Sequence, residues 1–431
     1  MNDGECDILV IGAGPAGSTA AAILAGRGHD VVLVEKDRHP RFHIGESLLP
    51  LNTRIFDLLG IRADVDAIGV YKPGAEFVAD NTGREVQFAF AAGLDKRYPH
   101  SWQVRRSELD ALLFRHARER GAQTIEDTRV TSVDFQPGGR ATVVAQGPAG
   151  ERRFRPRYML DASGRDTFLA SRLGSKRSNK RNNTAAVYAH YTGAEFRTGE
   201  RAGYISVHLA EDGWFWMIPL QEGVMSVGFV GNPTAFKGRH GTPAELLEAR
   251  IAASPTVGAR MRDAMRVSEV ASTGNYSYFA DRSAGDGYLM IGDAFAFLDP
   301  VFSSGVLLAM TAGEQGAAVA EAALTDPARA LVLARRMERE LRSAMDRFAW
   351  LIYRINTPAL RFLFMAPRNW FGMRTGLISL LAGNLRGSPR MVVPVLAFKT
   401  IYYVTSALLA LGLHPPQPKV IQPDRVLQAA E

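Results

Sequence analysis

A glycine-rich turn near the N-terminus constrains the fold of this 431-residue chain more than any other feature. Gly12, Gly14 and Gly17 form the pattern G-x-G-x-x-G, between an apolar run at 6–11 and an alanine-rich stretch. The first glycine permits a tight turn, the second lets the backbone approach a pyrophosphate, and the third lets helix and strand pack closely. The free N–H groups at the helix start then face the phosphates. We therefore predict a strand–turn–helix unit that binds a dinucleotide.

The next apolar run, 30–35, completes a predicted βαβ unit. It ends in Glu35, where a carboxylate can accept hydrogen bonds from ribose hydroxyls. Residues from about 185 to 275 alternate between apolar and polar, which indicates an antiparallel sheet. From 326 onward the pattern is helical. We predict an α/β fold, α+β in part, with a discontinuous nucleotide-binding module at 1–325, interrupted by that sheet, and a helical C-terminal region at 326–431.

Charge and cysteine content limit the functional classes. The net charge is +7, and the sequence pI is about 9.5, but no dense Lys/Arg stripe indicates a nucleic-acid surface. We expect anionic cofactors or an acidic partner, no nucleic acid and no metal site. Cys6 is the single cysteine, and residues 1–7 lack the pattern of a signal peptide, so we expect a cytoplasmic protein. The apolar segment 391–413 predicts a buried or surface-packed helix, with membrane or lipid contact as the alternative.

Three further motifs resemble the FAD-dependent aromatic hydroxylase superfamily. They are VRRSELD at 104–110, DASGR at 161–165, and a Gly292–Asp293 pair between a predicted strand and a long helix. The resemblance implies a Rossmann-like FAD-binding domain of the aromatic hydroxylase type, with Asp293 on the ribityl chain. It implies an arginine on the cofactor, for which we favour Arg105 over Arg106. The predicted FAD-binding residues are Gly12, Gly14, Ala16, Gly17, Glu35, Arg41, Ser47, Arg105, Val130, Asp293, Gly305 and Val306.

Within that superfamily, two motifs resemble those of flavin-dependent halogenases. GWFWMIP at 213–219 matches W-x-W-x-I-P, and the resemblance implies that Trp214, Trp216 and Pro219 form a barrier between flavin and organic substrate. Two tryptophans on one strand face are also compatible with an ordinary core. FLDPVFSSG at 297–305 matches F-x-x-P-x-x-S-x-G, and we place the halide near Ser304 and Gly305. A flavin-contact loop with no halide role is the alternative.

The third halogenase feature is Lys72, in the segment YKPGAEF, where the family has an essential lysine. Most lysines are simply solvated, so this prediction depends on the resemblance. Burial would favour the neutral amine. The segment 40–50, PRFHIGESLLP, also resembles halogenases of the phenol and pyrrole type.

The resemblance implies an enzyme that uses reduced FAD, O2 and chloride or bromide to make hypohalous acid, which Lys72 delivers to the substrate. A separate flavin reductase would be its partner. Tryptophan halogenases have a glutamate where this chain has Asp299, and they are longer. We therefore expect a phenol, a pyrrole or a substrate tethered to an acyl or peptidyl carrier protein. Two alternatives stay open: an FAD monooxygenase or geranylgeranyl-reductase-like oxidoreductase, and a non-catalytic flavoprotein binding subunit.

Overall fold

A computed structural model describes residues 4–413, apart from 137, 180–183, 237–240, 275–276, 299 and 385–388. In chain order, the described strands are β1 (Glu5–Ile11), β2 (Val31–Val34), β3 (Gly69–Lys72), β4 (Gly74–Ala79), β5 (Glu85–Ala89), β6 (Ser101–Val104), β7 (Gln123–Ile125), β8 (Arg129–Phe135), β9 (Ala141–Gly147), β10 (Gly150–Asp161), β11 (Lys176–Ser178), β12 (Ala185–Thr192), β13 (Ile205–Leu209), β14 (Gly213–Pro219), β15 (Val224–Gly231), β16 (Met265–Arg266), β17 (Ala271–Gly274), β18 (Tyr278–Ala280), β19 (Ala284–Gly285), β20 (Tyr288–Met290) and β21 (Ala296–Phe297).

The described α-helices connect and cover these strands. They are α1 (Pro15–Ala25), α2 (Asn52–Leu59), α3 (Arg62–Ile68), α4 (Arg106–Glu119), α5 (Phe168–Arg172), α6 (Pro233–Phe236), α7 (Pro243–Ala253), α8 (Pro255–Arg260), α9 (Gly305–Ala323), α10 (Pro327–Ile352), α11 (Pro358–Met365), α12 (Met373–Leu381) and α13 (Pro389–Ala410).

A parallel sheet forms the nucleotide-binding half of the fold. Its parallel strands run in the order β20-β10-β1-β2-β7, and β19 extends the edge in the antiparallel direction. Strands β1 and β2 are buried almost throughout, which explains their continuous apolar sequences. Because the strands are parallel, their carboxyl ends share one edge of the sheet. The glycine turn lies at that edge.

An antiparallel sheet faces this edge. It runs in the order β16-β12-β15-β14-β13-β4-β5, with β17 paired to β12. Most of its strands lie within the predicted segment of about 185–275. Strands β4 and β5 come from earlier in the chain, and β4 joins β13 in parallel, a non-local pairing that sequence periodicity does not reveal. The predicted α/β fold, with an interrupting antiparallel sheet and a mostly helical C-terminal region, is confirmed.

The helical C-terminal region packs against both halves. The proposed domain boundary at 325–326 falls in the short connection between α9 and α10, which pack together, and it stays a prediction. Phe364 on α11 contacts the rings of Phe77 and Phe88 on the antiparallel sheet, at centroid distances of 5.0 and 5.8 Å. It also contacts Phe302 and Phe398, at 6.5 Å each. This ring cluster joins the C-terminal helices to the sheet.

We predict that Phe364→Ala destabilises the protein by about 3–5 kcal/mol, because the fully buried ring would leave a cavity among four other rings. Phe371→Ala is the matched control, since that ring is 75% exposed. Urea denaturation followed by circular dichroism measures both. Equal free energies of unfolding for the two variants would contradict the packing described.

Candidate functional site

The glycine turn lies at the end of β1, where it meets the loop that follows β10. Gly12 has a φ of +94°, and a Cβ there would overlap the carbonyl oxygen of Ala162. A Cβ on Gly17 would overlap the carbonyl oxygen of Gly12. Gly14 differs, since the nearest atom to its Cβ position is Nη2 of Arg41 at 3.9 Å. Gly12 and Gly17 therefore allow the turn to close, while Gly14 opens onto a cavity.

That cavity, of about 550 Å³, lies between the carboxyl edge of the parallel sheet and the antiparallel sheet, and we call it the main cavity. Ten of the residues predicted to bind FAD line it: Gly12, Gly14, Ala16, Glu35, Arg41, Ser47, Val130, Asp293, Gly305 and Val306. Two predicted residues, Gly17 and Arg105, do not line it. The fold thus brings together segments that are almost 300 residues apart in sequence.

A buried carboxylate at the end of β2 stabilises the turn. Glu35 is 3% exposed, and its Oε2 accepts a hydrogen bond of 2.7 Å from the backbone N–H of Ala13. Arg41 lies beside it, with Nη2 3.4 Å from that same Oε2 and Nη1 3.2 Å from Asp110. The Nε of Arg41 is buried and has no hydrogen-bond partner among the described residues. A guanidinium group that keeps one donor unused, with its Nη2 beside Gly14, suits a phosphate oxygen.

The structure places Arg106, not Arg105, at the main cavity. Arg105 precedes α4 and points away, donating to Glu108 and to Glu222 at 3.3 and 2.8 Å. Arg106 lies in the first turn of α4 and donates through Nε to Asp110 at 2.8 Å. The two arginines are adjacent in sequence, so the motif alone did not distinguish which one the helix start would turn inward. Of the two arginines, only Arg106 lines the main cavity.

Asp293 lies just after β20, at the same edge of the parallel sheet. Burial raises the pKa of its carboxyl to about 6. Arg106 and Arg165 oppose that shift electrostatically. Tyr278 holds the segment by donating to the backbone oxygen of Asp293 at 2.9 Å. A carboxyl group in this setting can accept a hydrogen bond from a hydroxyl group of a bound nucleotide.

The two tryptophans of the W-x-W-x-I-P motif face the main cavity. Trp214 and Trp216 alternate on β14, and their ring centroids are 6.0 Å apart. Phe215 points to the opposite face, where it packs against Phe229. The indoles are buried and also line the cavity, and the barrier between flavin and substrate stays a prediction. Pro219 is buried at the end of β14 and lies outside the lining.

A glycine on the neighbouring strand leaves the space that one of the indole rings occupies. Gly228 on β15 is paired with Trp216, and a Cβ there would overlap the Trp216 ring. The indole Nε1 donates to Ser226 at 3.2 Å. The ring therefore lies flat against the backbone of β15.

Lys72 is the most unusual charged residue of the site. Its side chain is 1% exposed, and its Nζ donates to Ser47 Oγ and to the backbone oxygen of Leu48, both at 2.7 Å. The Nζ also lies 5.3 Å from the ring centroid of Phe90. No ion pair found among the described residues involves Lys72. Burial alone lowers the pKa of the amine to about 7. Because Ser47 lines the main cavity, Lys72 is one hydrogen bond away from it.

The predicted halide residues lie at the start of α9. Ser304 is the residue before the first turn and is 4% exposed. With Gly305 and Asp293 it lines a small pocket beside the main cavity. Ser303 lines the main cavity itself, with a φ of +57°. Backbone N–H groups at a helix start favour an anion. Asp299 lies outside the described residues.

One pair at the site was not predicted from sequence. Glu46 is buried at the cavity wall, and its Oε1 is 2.9 Å from Nε2 of His190 on β12. Phe42 lies over this pair, 5.7 Å from the His190 ring. The predicted segment at 40–50 contained Glu46, but nothing in the sequence linked it to a histidine 144 positions away. Burial lowers the pKa of His43, which lies nearby, to about 4.

The residues at the main cavity fit a flavin dinucleotide. Gly14 leaves room for a close approach, and Arg41 offers an unused donor. Glu35 and Asp293 place carboxyl groups at two separate strand ends. No cluster of three His, Cys, Asp or Glu side chains that could hold a metal ion occurs within the described ranges.

Comparison with known proteins agrees with this fit. Residues 5–325 match the family model described as FAD binding domain. The flavin-dependent halogenase armH3 of Armillaria mellea is 35% identical over 345 residues, covering 74% of this chain and 68% of the relative. The flavin-dependent halogenase rdc2 of Metacordyceps chlamydosporia is 35% identical, over 73% of this chain and 64% of the relative. The tryptophan 2-halogenase of Chondromyces crocatus is 36% identical, over 70% and 58%. This chain thus spans about two thirds or less of these relatives.

Solved structures extend the likeness into the C-terminal region. The flavoprotein/dehydrogenase of Cytophaga hutchinsonii has a TM-score of 0.81 and 28% identity, covering 93% of this chain and 100% of that one. The myxobacterial chondrochloren halogenase CndH has a TM-score of 0.76 and 26% identity, covering 97% and 92%. The helices from α10 onward therefore belong to an architecture that these proteins share.

We predict that Gly14→Ala weakens FAD binding at least about tenfold without unfolding the protein, because the added methyl group projects into open space where a pyrophosphate would approach. Flavin fluorescence titration measures affinity, and thermal unfolding without FAD measures stability. Gly12→Ala is the contrast, since its Cβ would overlap backbone, and it should lower stability as well. Unchanged FAD affinity in Gly14→Ala would argue against a pyrophosphate at this turn.

The burial of the Lys72 amine predicts that its contribution to the free energy of unfolding depends on pH. Its pKa is near 7 when folded and about 10.4 when unfolded, so between these values the unfolded state binds more protons. We therefore compare the free energy of unfolding of the wild type with that of Lys72→Met. The wild-type value minus the variant value should rise from pH 7 to pH 10, with a slope of up to about 1.4 kcal/mol per pH unit. The difference should be flat below pH 6. Urea titrations at each pH test this, and a flat difference throughout would contradict the burial of the amine.

Proposed function

This chain belongs to the flavin-dependent halogenase family, and we propose that it uses FADH2 and O2 to halogenate an electron-rich aromatic substrate. The single observation that carries the proposal is a buried lysine that has no counter-ion among the described residues and lies one hydrogen bond from a cavity that fits a flavin and is lined by two indoles. A hydroxylase that brings its substrate directly to the flavin has no need for either feature. Bound FAD, reduced by a separate flavin reductase, would supply the oxygen chemistry that converts chloride or bromide to hypohalous acid.

Different residues of the main cavity bind different parts of the cofactor. Gly14 and Arg41 hold the pyrophosphate, and Glu35 accepts hydrogen bonds from the ribose. Arg106 and Asp293 orient the flavin end. Backbone N–H groups at Ser304 and Gly305 hold the halide, since a helix start carries a partial positive charge.

Trp214 and Trp216 exclude the organic substrate from the flavin. Their rings form part of the cavity wall on β14, together with Ile218, which places bulky side chains between the cavity and the sheet behind it. Hypohalous acid is small enough to travel past them. The barrier thus favours halogenation over direct oxygenation of the substrate.

Lys72 takes up the halogen and directs it. With a pKa near 7, its amine is present in both forms at neutral pH. The protonated form donates a hydrogen bond to hypohalous acid. The neutral form attacks the halogen, giving an N-halo-lysine and water. In either case Ser47 and Leu48 fix the Nζ position, and the dry surroundings prevent loss of the halogen to solvent.

A second cavity is suited to the substrate. It has a volume of about 930 Å³ and lies on the opposite side of the start of α9 from the main cavity. Leu51, three residues beyond the Leu48 carbonyl that binds Lys72, lines it, as do Leu307 and Leu341. Its lining also includes two acidic residues, Asp95 and Glu340, and six arginines: Arg54, Arg97, Arg336, Arg339, Arg347 and Arg390. Three of these arginines form ion pairs with carboxylates, but the lining keeps an excess of positive charge.

This lining favours an aromatic ring that carries an acidic group or a phosphopantetheine arm. A phenol or pyrrole, free or tethered to an acidic carrier protein, meets that description, and we place the reaction in the cytoplasm. A basic segment at 172–181 could receive such a carrier. Its Lys176 and Arg177 lie on β11, while Lys180 and Arg181 lie outside the described residues.

We predict that Lys72→Met abolishes halogenated product, by about 10³-fold or more, while FAD affinity stays within about twofold of wild type. The assay combines FADH2 from a flavin reductase, O2, chloride or bromide, and a panel of phenols and pyrroles, with product masses as readout. Lys96→Met is the matched control, because that lysine is exposed and donates only to a backbone carbonyl, and it should keep full activity.

Normal halogenation by Lys72→Met would remove the assignment of Lys72. Hydroxylated or saturated products without halogen from the wild type would instead favour a monooxygenase or a reductase.

A further inference from the structure

Helix α13 is apolar on every side but is packed on one side only. Its buried edge consists of Met391, Pro394, Phe398, Tyr402 and Thr405, which face α11 and α12. In its most apolar 18-residue window only 22% is buried, and by length and composition the helix could cross a bilayer. Helices that are apolar all round normally lie inside a protein or a membrane. Most of this one is open to solvent.

The exposed side of α13 is mainly apolar, with Thr400 as a polar residue in its middle. It continues onto the adjacent short turn at Trp370–Gly372, which contacts α13. We call this surface the C-terminal apolar face, and its members are Val392 (53% exposed), Val393 (61%), Leu396 (59%), Tyr403 (53%), Val404 (53%), Trp370 (51%) and Phe371 (75%). Single exposed apolar residues are common in soluble proteins, but a helix-long stripe with aromatic residues at its margin marks an interaction surface.

The part of the sequence that forms this face carries charges of one sign. The sequence has no Asp or Glu between Asp346 and Asp424, a stretch that includes α11, α12 and α13. In the same stretch it has nine basic residues, Arg347, Arg354, Arg361, Arg368, Arg374, Arg386, Arg390, Lys399 and Lys419. Arg368 lies over the ring of Trp370 at 4.8 Å, and Lys399 over that of Trp350 at 5.3 Å. Cations next to the apolar face complement an anionic partner.

We propose that the C-terminal apolar face binds reversibly to the surface of a bilayer that contains anionic lipids. Helix α13 would lie in the interface plane, over a length of about 33 Å, with its apolar side among the acyl chains and the basic residues at the phosphate level. Trp370 and Tyr403 carry ring N–H and O–H groups, and such side chains favour the headgroup region.

Two other ways of burying the C-terminal apolar face agree less well with its charge and packing. A second copy of this chain, packed by two-fold symmetry, would bring the same acid-free surface against itself and oppose arginine to arginine. A membrane span would require α13 to leave α11 and α12, which would expose Phe398 and its contacts with Phe364 and Trp350. Flat binding keeps the buried edge intact and covers only what is exposed.

Vesicle flotation with the full-length, FAD-loaded protein tests this surface independently of halogenase activity. Vesicles of phosphatidylglycerol and phosphatidylcholine should carry the protein, while pure phosphatidylcholine should carry much less. Raising the salt concentration should weaken the anionic binding, because screening reduces the attraction of the basic residues. Val393→Asp should lower the partition coefficient about tenfold or more, since a side chain of this size contributes about 1.5 kcal/mol on burial.

Val332→Asp is the matched control, because Val332 is equally exposed, at 64%, but lies on α10. It should bind vesicles as the wild type does. Absence of flotation with anionic vesicles, or equal losses in both variants, overturns the proposal. So does a dimer in multi-angle light scattering that Val393→Asp dissociates, because a second copy would then cover the face. Binding of an acidic carrier protein that is lost in Val393→Asp, without vesicle binding, overturns it as well.

Discussion

The alignment of parallel strand ends is the constraint on which the site depends. Strands β1, β2, β10 and β20 all run in one direction, and each delivers one functional segment to the same edge: the glycine turn, Glu35, the loop at Ala162 and Asp293. The close approach of Gly12 to Ala162 joins two of these segments directly. Crevices at the carboxyl ends of strands are the usual ligand sites of such sheets. A shift of β10 by one residue would displace two walls of the main cavity together.

Much of this arrangement could be predicted from local sequence, because the motifs follow strands with clear apolar runs. Gly14, Glu35 and Asp293 each stand at a strand end, so their meeting follows from parallel topology. The choice between Arg105 and Arg106 could not be predicted, since it depends on where α4 starts. The pairing of Glu46 with His190 depends on a tertiary contact across the sheet, and the entry of β4 and β5 beside β13 has the same cause.

Burial of Lys72 shows how a fold can lower the pKa of an amine that has no ion-pair partner among the described residues. Two oxygen acceptors satisfy Nζ, and the lack of solvent moves its pKa toward neutrality. A paired carboxylate would have held the amine protonated. The resemblance identified this lysine, but its acceptors, Ser47 and Leu48, come from a different segment, so its protonation behaviour could only be read from the structure.

The contact of Trp216 with Gly228 has a consequence for how this wall can change. The indole rests where a side chain is missing, so its height above the cavity is determined by residue 228 on the neighbouring strand, not by the tryptophan itself. Any larger residue at 228 must lift or turn the ring. A substitution at 228 can therefore reshape this wall of the main cavity while the W-x-W-x-I-P motif stays unchanged, so two chains with identical motifs can differ in the shape of the cavity.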